Sequence, residues 1–107
     1  MRERLRHVPL LTHEGVLFEV LAFFAASGRL GRTTAMAMVR RAQAEWTVIS
    51  ITPNLFDAAL ALYAARPDKE YSLTDCMSMI VMRNRGIEHV LTNDHHFRQE
   101  GFTVLSE

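Results

Sequence analysis

Three acidic side chains, Glu19, Asp75 and Asp94, stand where a carboxylate needs a reason. Glu19 has Gly15, Val16, Ala22 and Phe23 at its i−4, i−3, i+3 and i+4 positions, so on a helix it projects from an apolar neighbourhood with no cation beside it. Asp75 sits in "YSLTDCMSMIVMRNRG", residues 71–86, at the mouth of a helix with hardly a polar residue before Arg83. Asp94 directly follows the strand-like "HVLTN", and the carboxyl edge of a parallel sheet is where ligands bind.

Each acid also has a plain structural reading. Glu19 could mark the edge of an apolar stripe. Asp75 stands three residues after Ser72, the spacing of a capping box, although Glu or Gln is usual there. Asp94 suits a turn or a helix cap equally well. The chemical reading joins them, because strand ends and helix starts of a doubly wound sheet meet on one edge. Two carboxylates about 4 Å apart repel by roughly 4 kcal/mol at an effective dielectric of about 20, and no Lys or Arg lies within a turn of Asp75 or Glu19. Hard oxygen ligands left partly open suit Mg²⁺ or Mn²⁺, and the chemistry implied is metal-assisted attack of water on a phosphodiester. The pair His95 and His96 raises zinc instead, but adjacent side chains point apart and no further Cys or His stands at ligand spacing.

The chain around these residues has 107 residues, 49% hydrophobic and 22% charged, as expected for a single core-forming domain over residues 1–107. No apolar run approaches the roughly 20 residues of a membrane span, and "MRERLRHVPLL" lacks the apolar stretch and cleavage site of a secretory signal. A cytoplasmic protein with no membrane partner is expected. Cys76, the single cysteine, lies among apolar neighbours and reads as core filler. With 12 basic and 12 acidic residues there is no global attraction to nucleic acid. Contact with it must use local arginines such as Arg29, Arg32, Arg40, Arg41, Arg83 and Arg85.

The periodicity predicts elements that would position the acids. "HVPLLT" reads as a strand, followed by a buried helix with Val16, Val20, Phe23 and Phe24 at helical spacing and Gly28 as its stop. "GRTTAMAMVRRAQAE" predicts a second helix capped by Thr33 or Thr34, and "WTVISI" a strand. Thr52 is a fitting N-cap with Pro53 at the first helical position, and Leu55, Ala58, Ala59 and Leu62 form the stripe of a helix ended by Pro67. The helix after Ser72 has apolar residues nearly all round, the mark of an element buried on every side, and Gly86 closes it. "HVLTN" and "TVL" read as late strands. Strands alternating with helices predict an α/β layer fold with a mostly parallel sheet.

The segment "SLTDCMSMIVMRNRGIEHVLTNDHHFRQEGFTVL" closely resembles the C-terminal half of a PIN domain of the VapC toxin type, through "SLTD" and its apolar helix, then "VLTND", "HF" and "GF". Upstream, "LLTHEGVLFEVL" is similar to the family segment that carries a helical glutamate, which aligns with Glu19. The resemblance runs from about Leu10 to the end. It implies a PIN-like parallel sheet flanked by helices, in which Glu19, Asp75 and Asp94 bind Mg²⁺ or Mn²⁺ and act as catalytic acids. Ser72, Thr74 and Asn93 would support the site. The activity implied is an endoribonuclease, the toxin of a toxin–antitoxin pair, with RNA as substrate and a VapB-like antitoxin as partner.

PIN domains begin with a strand that ends in an aspartate, whereas only "MRERLRHVP" precedes the match here and no Asp comes before Asp57. The expectation is therefore the C-terminal two-thirds of the family pattern, lacking the first strand and its aspartate, with catalysis impaired. A sheet without that strand would leave edges open to association, so a homodimer or larger assembly is expected. The alternative is a catalytically inactive PIN-derived module that binds an antitoxin or a PIN subunit. A receiver domain shares the acid-at-strand-end layout but carries a late lysine that is absent near "TVL".

Overall fold

The computed structural model describes residues 10–92 and 95–105. Its elements in chain order are β1 (Leu11–His13), α1 (Glu14–Phe23), α2 (Gly28–Glu45), β2 (Thr47–Ile49), α3 (Pro53–Ala65), α4 (Leu73–Asn84), β3 (His89–Leu91), α5 (His96–Gln99) and β4 (Thr103–Leu105). The described residues up to Ile51 form one compact unit, and those from Thr52 onwards a second.

In the first unit β1 and β2 pair in parallel, Leu11 opposite Thr47 and His13 opposite Ile49, with the two helices as the crossover. His13 is the hinge between strand and helix: its buried Nδ1 accepts the Gly15 N–H at 3.0 Å and so caps α1. Glu14 follows, an acid in the first turn where the helix dipole favours it, and its Oε1 accepts the Ile51 N–H at 2.8 Å as the chain leaves β2.

Two expectations fail in this unit. The predicted stripe of α1 is displaced, since Gly15 and Leu17 are its buried residues while Phe23 is 80% exposed. Helix α2 begins at Gly28, well before Thr33 and Thr34, with Ser27 as its N-cap residue. Glycine geometry accounts for this: after the turn of residues 24–27, Gly28 takes φ +73 and redirects the chain into α2. Gly31 then fits inside the helix because a Cβ there would overlap the Cβ of Ser27. Thr34, placed mid-helix, donates its hydroxyl back to the Leu30 carbonyl at 2.9 Å.

The second unit is built as its residue pattern predicts. Thr52 Oγ1 accepts the Leu55 N–H at 3.1 Å, Pro53 opens α3, and Leu55, Ala59 and Leu62 are buried. They lie on the helix that packs against α4, which buries Cys76, Met77, Met79, Val81 and Met82. Burial pushes the Cys76 thiol pKa up, which agrees with a core role. Gly86 takes φ +66 after α4, and β3 then pairs in parallel with β4, His89 opposite Thr103 and Val90 opposite Val104. The short α5 between them buries Phe97, whose ring lies 6.4 Å from that of Phe102.

One polar cluster ties these elements together. Glu100, at the end of α5, has a side chain only 6% exposed although it lies in a polar stretch of sequence. Its Oε1 accepts Arg66 Nε at 2.6 Å and the Tyr71 hydroxyl at 3.1 Å, and its Oε2 accepts Arg83 Nη2 at 2.6 Å. Arg66 comes from the end of α3 and Arg83 from the last turn of α4, where its guanidinium also lies over the Phe102 ring. The bonds from Arg66, then those from Arg83 and Tyr71, hold the Glu100 pKa below the ordinary carboxylate value although burial opposes them. Burial first, and the bond to Glu100 second, push the Tyr71 phenol up to about 12.

A carboxylate with a depressed native pKa stabilises the fold fully above its unfolded value, near 4.5, and that contribution is lost as pH falls through the native value. Tyr71 acts at the other end, with stability lost as pH rises from its ordinary 10.0 towards about 12. Glu100→Gln is therefore expected to lower unfolding stability at neutral pH by about 1.5–3 kcal/mol. In urea titrations it should also flatten the acid-side fall in stability below about pH 4.5 relative to the unaltered chain.

Candidate active site

Asp75 occupies the third position of α4, and its carboxylate has two described partners. The Ser72 backbone N–H donates to Oδ2 at 3.1 Å, while the Asp75 N–H donates to Ser72 Oγ at 3.0 Å. The capping box is thus complete with an aspartate in the place usually held by Glu or Gln. The second partner is His96, whose Nδ1 lies 3.6 Å from the same Oδ2. Among the described residues nothing donates to Oδ1, and the Asp75 side chain keeps 21% of its surface exposed. Among the described residues, one hard oxygen of this acid is thus without a donor at the mouth of the helix.

The neighbours of His96 connect this point to the rest of the unit. Its ring lies 5.3 Å from that of Tyr71 and 5.1 Å from that of His95. Tyr71 in turn donates to Glu100. A chain of contacts so runs from the buried Glu100 cluster through Tyr71 and His96 to Asp75. The sequence reading weighed His96 only as a zinc ligand and missed its place beside Asp75. The one signal available was its position just after the strand "HVLTN", on the same edge as the start of α4.

The other candidates stand as follows. Ser72 is exposed, and its hydroxyl is used as the cap of α4. Thr74 is half-buried in the first turn, with its carbonyl accepting the Ser78 hydroxyl at 3.2 Å. Glu19 lies in the first unit, exposed on α1. Asn93 and Asp94 fall outside the described residues. Among the described residues no three His, Cys, Asp or Glu side chains gather as a metal cage. Asp75, partly exposed with an open carboxylate oxygen, has the donor type that suits Mg²⁺ or Mn²⁺. His96 Nδ1, 3.6 Å from Oδ2, is a donor type better suited to a transition metal than to Mg²⁺.

No curated protein matches the chain by sequence. Among solved structures, the crystal structure of Mycobacterium tuberculosis VapC20, titled a sarcin–ricin-loop-cleaving toxin, is similar with a TM-score of 0.78 at 28% identity. The match covers 94% of this chain and 79% of that one. The family profile described as PIN domain matches residues 1–102, which includes every element from β1 through α5 and the capped Asp75. The chain belongs to the PIN domain family.

Proposed function

We propose that this protein is a Mg²⁺- or Mn²⁺-dependent endoribonuclease of the VapC type, the toxin partner of a VapB-like antitoxin, acting in the cytoplasm on RNA phosphodiesters. The observation that carries the proposal is the PIN match over residues 1–102 together with the open carboxylate oxygen of Asp75 at the start of α4. The similarity to VapC20, a toxin that cleaves the sarcin–ricin loop, supports a structured RNA as substrate. Among the described residues no helix is long and apolar enough to cross a membrane.

In this reading Glu19, Asp75 and Asp94 would supply the acidic ligands of a divalent ion, whose chemistry when bound would be to activate water and to neutralise charge on the scissile phosphate. Ser72 fixes Asp75 through its N–H to Oδ2, and Oδ1 would be the oxygen offered to an ion. Thr74 and Asn93 support the site. His96 holds the far side of the carboxylate. The reading of residues 1–107 as one PIN-like domain is supported by the family match over residues 1–102.

A second reading has its own support: Oδ2 of Asp75 is already engaged by the capping box and by His96, as it would be in a purely structural acid. In that case the chain is an inactive PIN-derived module that binds an antitoxin or another PIN subunit. Association is part of both readings. It is supported by Phe56, Leu60 and Tyr63, which stand at i, i+4 and i+7 on one exposed face of α3.

Purified protein with Mn²⁺ or Mg²⁺ is expected to cleave a structured RNA, and Asp75→Asn to lower the cleavage rate at least about 100-fold. The thermal midpoint should change little, because Asn remains a competent helix-start residue. Intact RNA with the unaltered protein, alongside tight binding of an antitoxin peptide, would instead establish the inactive module. Sedimentation at micromolar concentration should give a dimer or larger species that Tyr63→Asp dissociates; a monodisperse monomer refutes association.

A further inference from the structure

Helix α2 is 18 residues long, yet only Ala35 and Ala42 of it are buried. Its charge is one-sided, with Arg29, Arg32, Arg40 and Arg41 against the single acid Glu45, in a chain whose formal charge is zero. Arg41 is neutralised locally, since its Nε lies 3.0 Å from Glu45 Oε2 one turn on. The other three arginines have no acidic partner among the described residues.

Their placement is regular. At 3.6 residues per turn, Arg29 and Arg40 lie within about 20° of one another round the helix and about 16 Å apart along it. Met36 stands between them and Arg32 flanks them, and all four are exposed. Ala35 and Ala42 lie about 120–140° round the helix from Arg29 and about 60–80° from Arg32. Two of the guanidinium groups are held in place: Arg32 Nη1 donates to the Ala25 carbonyl at 3.0 Å and Arg40 Nη1 to Gln43 Oε1 at 3.0 Å. Each keeps further N–H donors for a ligand.

A row of permanently charged forks on a solvent face matches a partner whose negative charge also repeats along a line. Guanidinium groups bind phosphate with paired, charge-assisted hydrogen bonds. A peptide seat would need a continuous apolar strip, and Met36 is the single apolar side chain in the middle of the row. We propose that the Arg29, Arg32 and Arg40 face of α2 is a contact surface for the phosphate backbone of the RNA substrate. The proposal rests on the ribonuclease reading for the identity of the polyanion. It assigns these residues to binding and not to the chemical step.

The test is binding of a labelled RNA stem–loop by fluorescence anisotropy over a range of monovalent salt, with EDTA present so that the RNA stays whole. Removing two phosphate contacts in Arg29→Gln/Arg40→Gln should reduce the slope of log affinity against log salt by about 1.4 for single-stranded contacts and about 1.8 for duplex. Arg29→Lys/Arg40→Lys should keep the slope. Arg41→Gln, which removes an arginine already paired with Glu45, should leave it unchanged.

An unchanged slope in the double Gln variant, with RNA still bound, overturns this inference and leaves the ribonuclease reading standing. So does a variant that loses an antitoxin peptide while retaining RNA, because the face is then a protein interface. Failure of the unaltered chain to bind RNA overturns both. RNA binding that shows the expected slope change, without cleavage once metal is restored, sustains the surface and refutes only the nuclease.

Discussion

The second unit of this protein depends on one desolvated carboxylate. Glu100 sits at the end of a single-turn helix, too short to hold itself in place by its own hydrogen bonds, and has been taken almost wholly out of water. Removing a carboxylate from solvent is costly unless its oxygens are satisfied. Here both are, by Arg66 from the end of α3, Arg83 from the end of α4 and Tyr71 from the segment between them. Three pieces of chain that share no continuous backbone structure therefore meet at one point. The partners suit the task, because a planar guanidinium on a partly exposed stem keeps one side in water while its fork binds the buried acid. Arg83 does this while its guanidinium lies over the Phe102 ring, so the same side chain joins the polar cluster to the apolar packing around Phe97.

This cluster bears on function because the candidate site is its continuation. Tyr71 donates to Glu100 at one end and places its ring beside His96, and His96 faces Asp75. The start of α4 and the chain after β3 are thereby kept in register. Asp75 itself carries two demands. As a capping-box residue it must turn one oxygen back to the Ser72 N–H, and as a proposed ligand it must turn the other outward. The two are met by different atoms, since the cap uses only Oδ2. The structural and chemical roles of this residue are compatible, and a cap alone does not argue against a site.

The surface carries complementary information. The first unit presents an arginine row on a helix that buries only two alanines, and the second presents an aromatic and aliphatic row on α3. A fold of about a hundred residues has little core to spare, and leaving such faces uncovered is a recurrent sign of partners. The two rows differ in chemistry, one charged and one apolar, and so are suited to different occupants.

Much was legible from local chemistry. The Thr52 cap with Pro53, the apolar stripe of α3, the all-round burial of α4 and the Gly86 stop follow from short-range rules, because each depends on residues within a turn or two, while the parallel strands follow from the alternation of strands and helices along the chain. The type and position of Asp75 were legible for the same reason. What local pattern misjudged were features set at longer range or by exceptional geometry. Phe23 has the spacing of a core residue but lies beyond the part of α1 that meets its neighbours. Gly28 and Gly31 look like a loop, yet one makes the turn and the other permits a close approach to Ser27 within the helix. Glu100 resembles a surface acid because its partners lie 17, 29 and 34 residues away. His96 likewise meets Asp75 only through the return of the chain after β3. The amino-acid sequence by itself determined most of the elements, the caps of α3 and α4, and the family. Which acid is buried, which histidine faces the candidate carboxylate and which helix face stays open were decided only in the tertiary structure, because burial and pairing are properties of neighbours that the chain order does not contain.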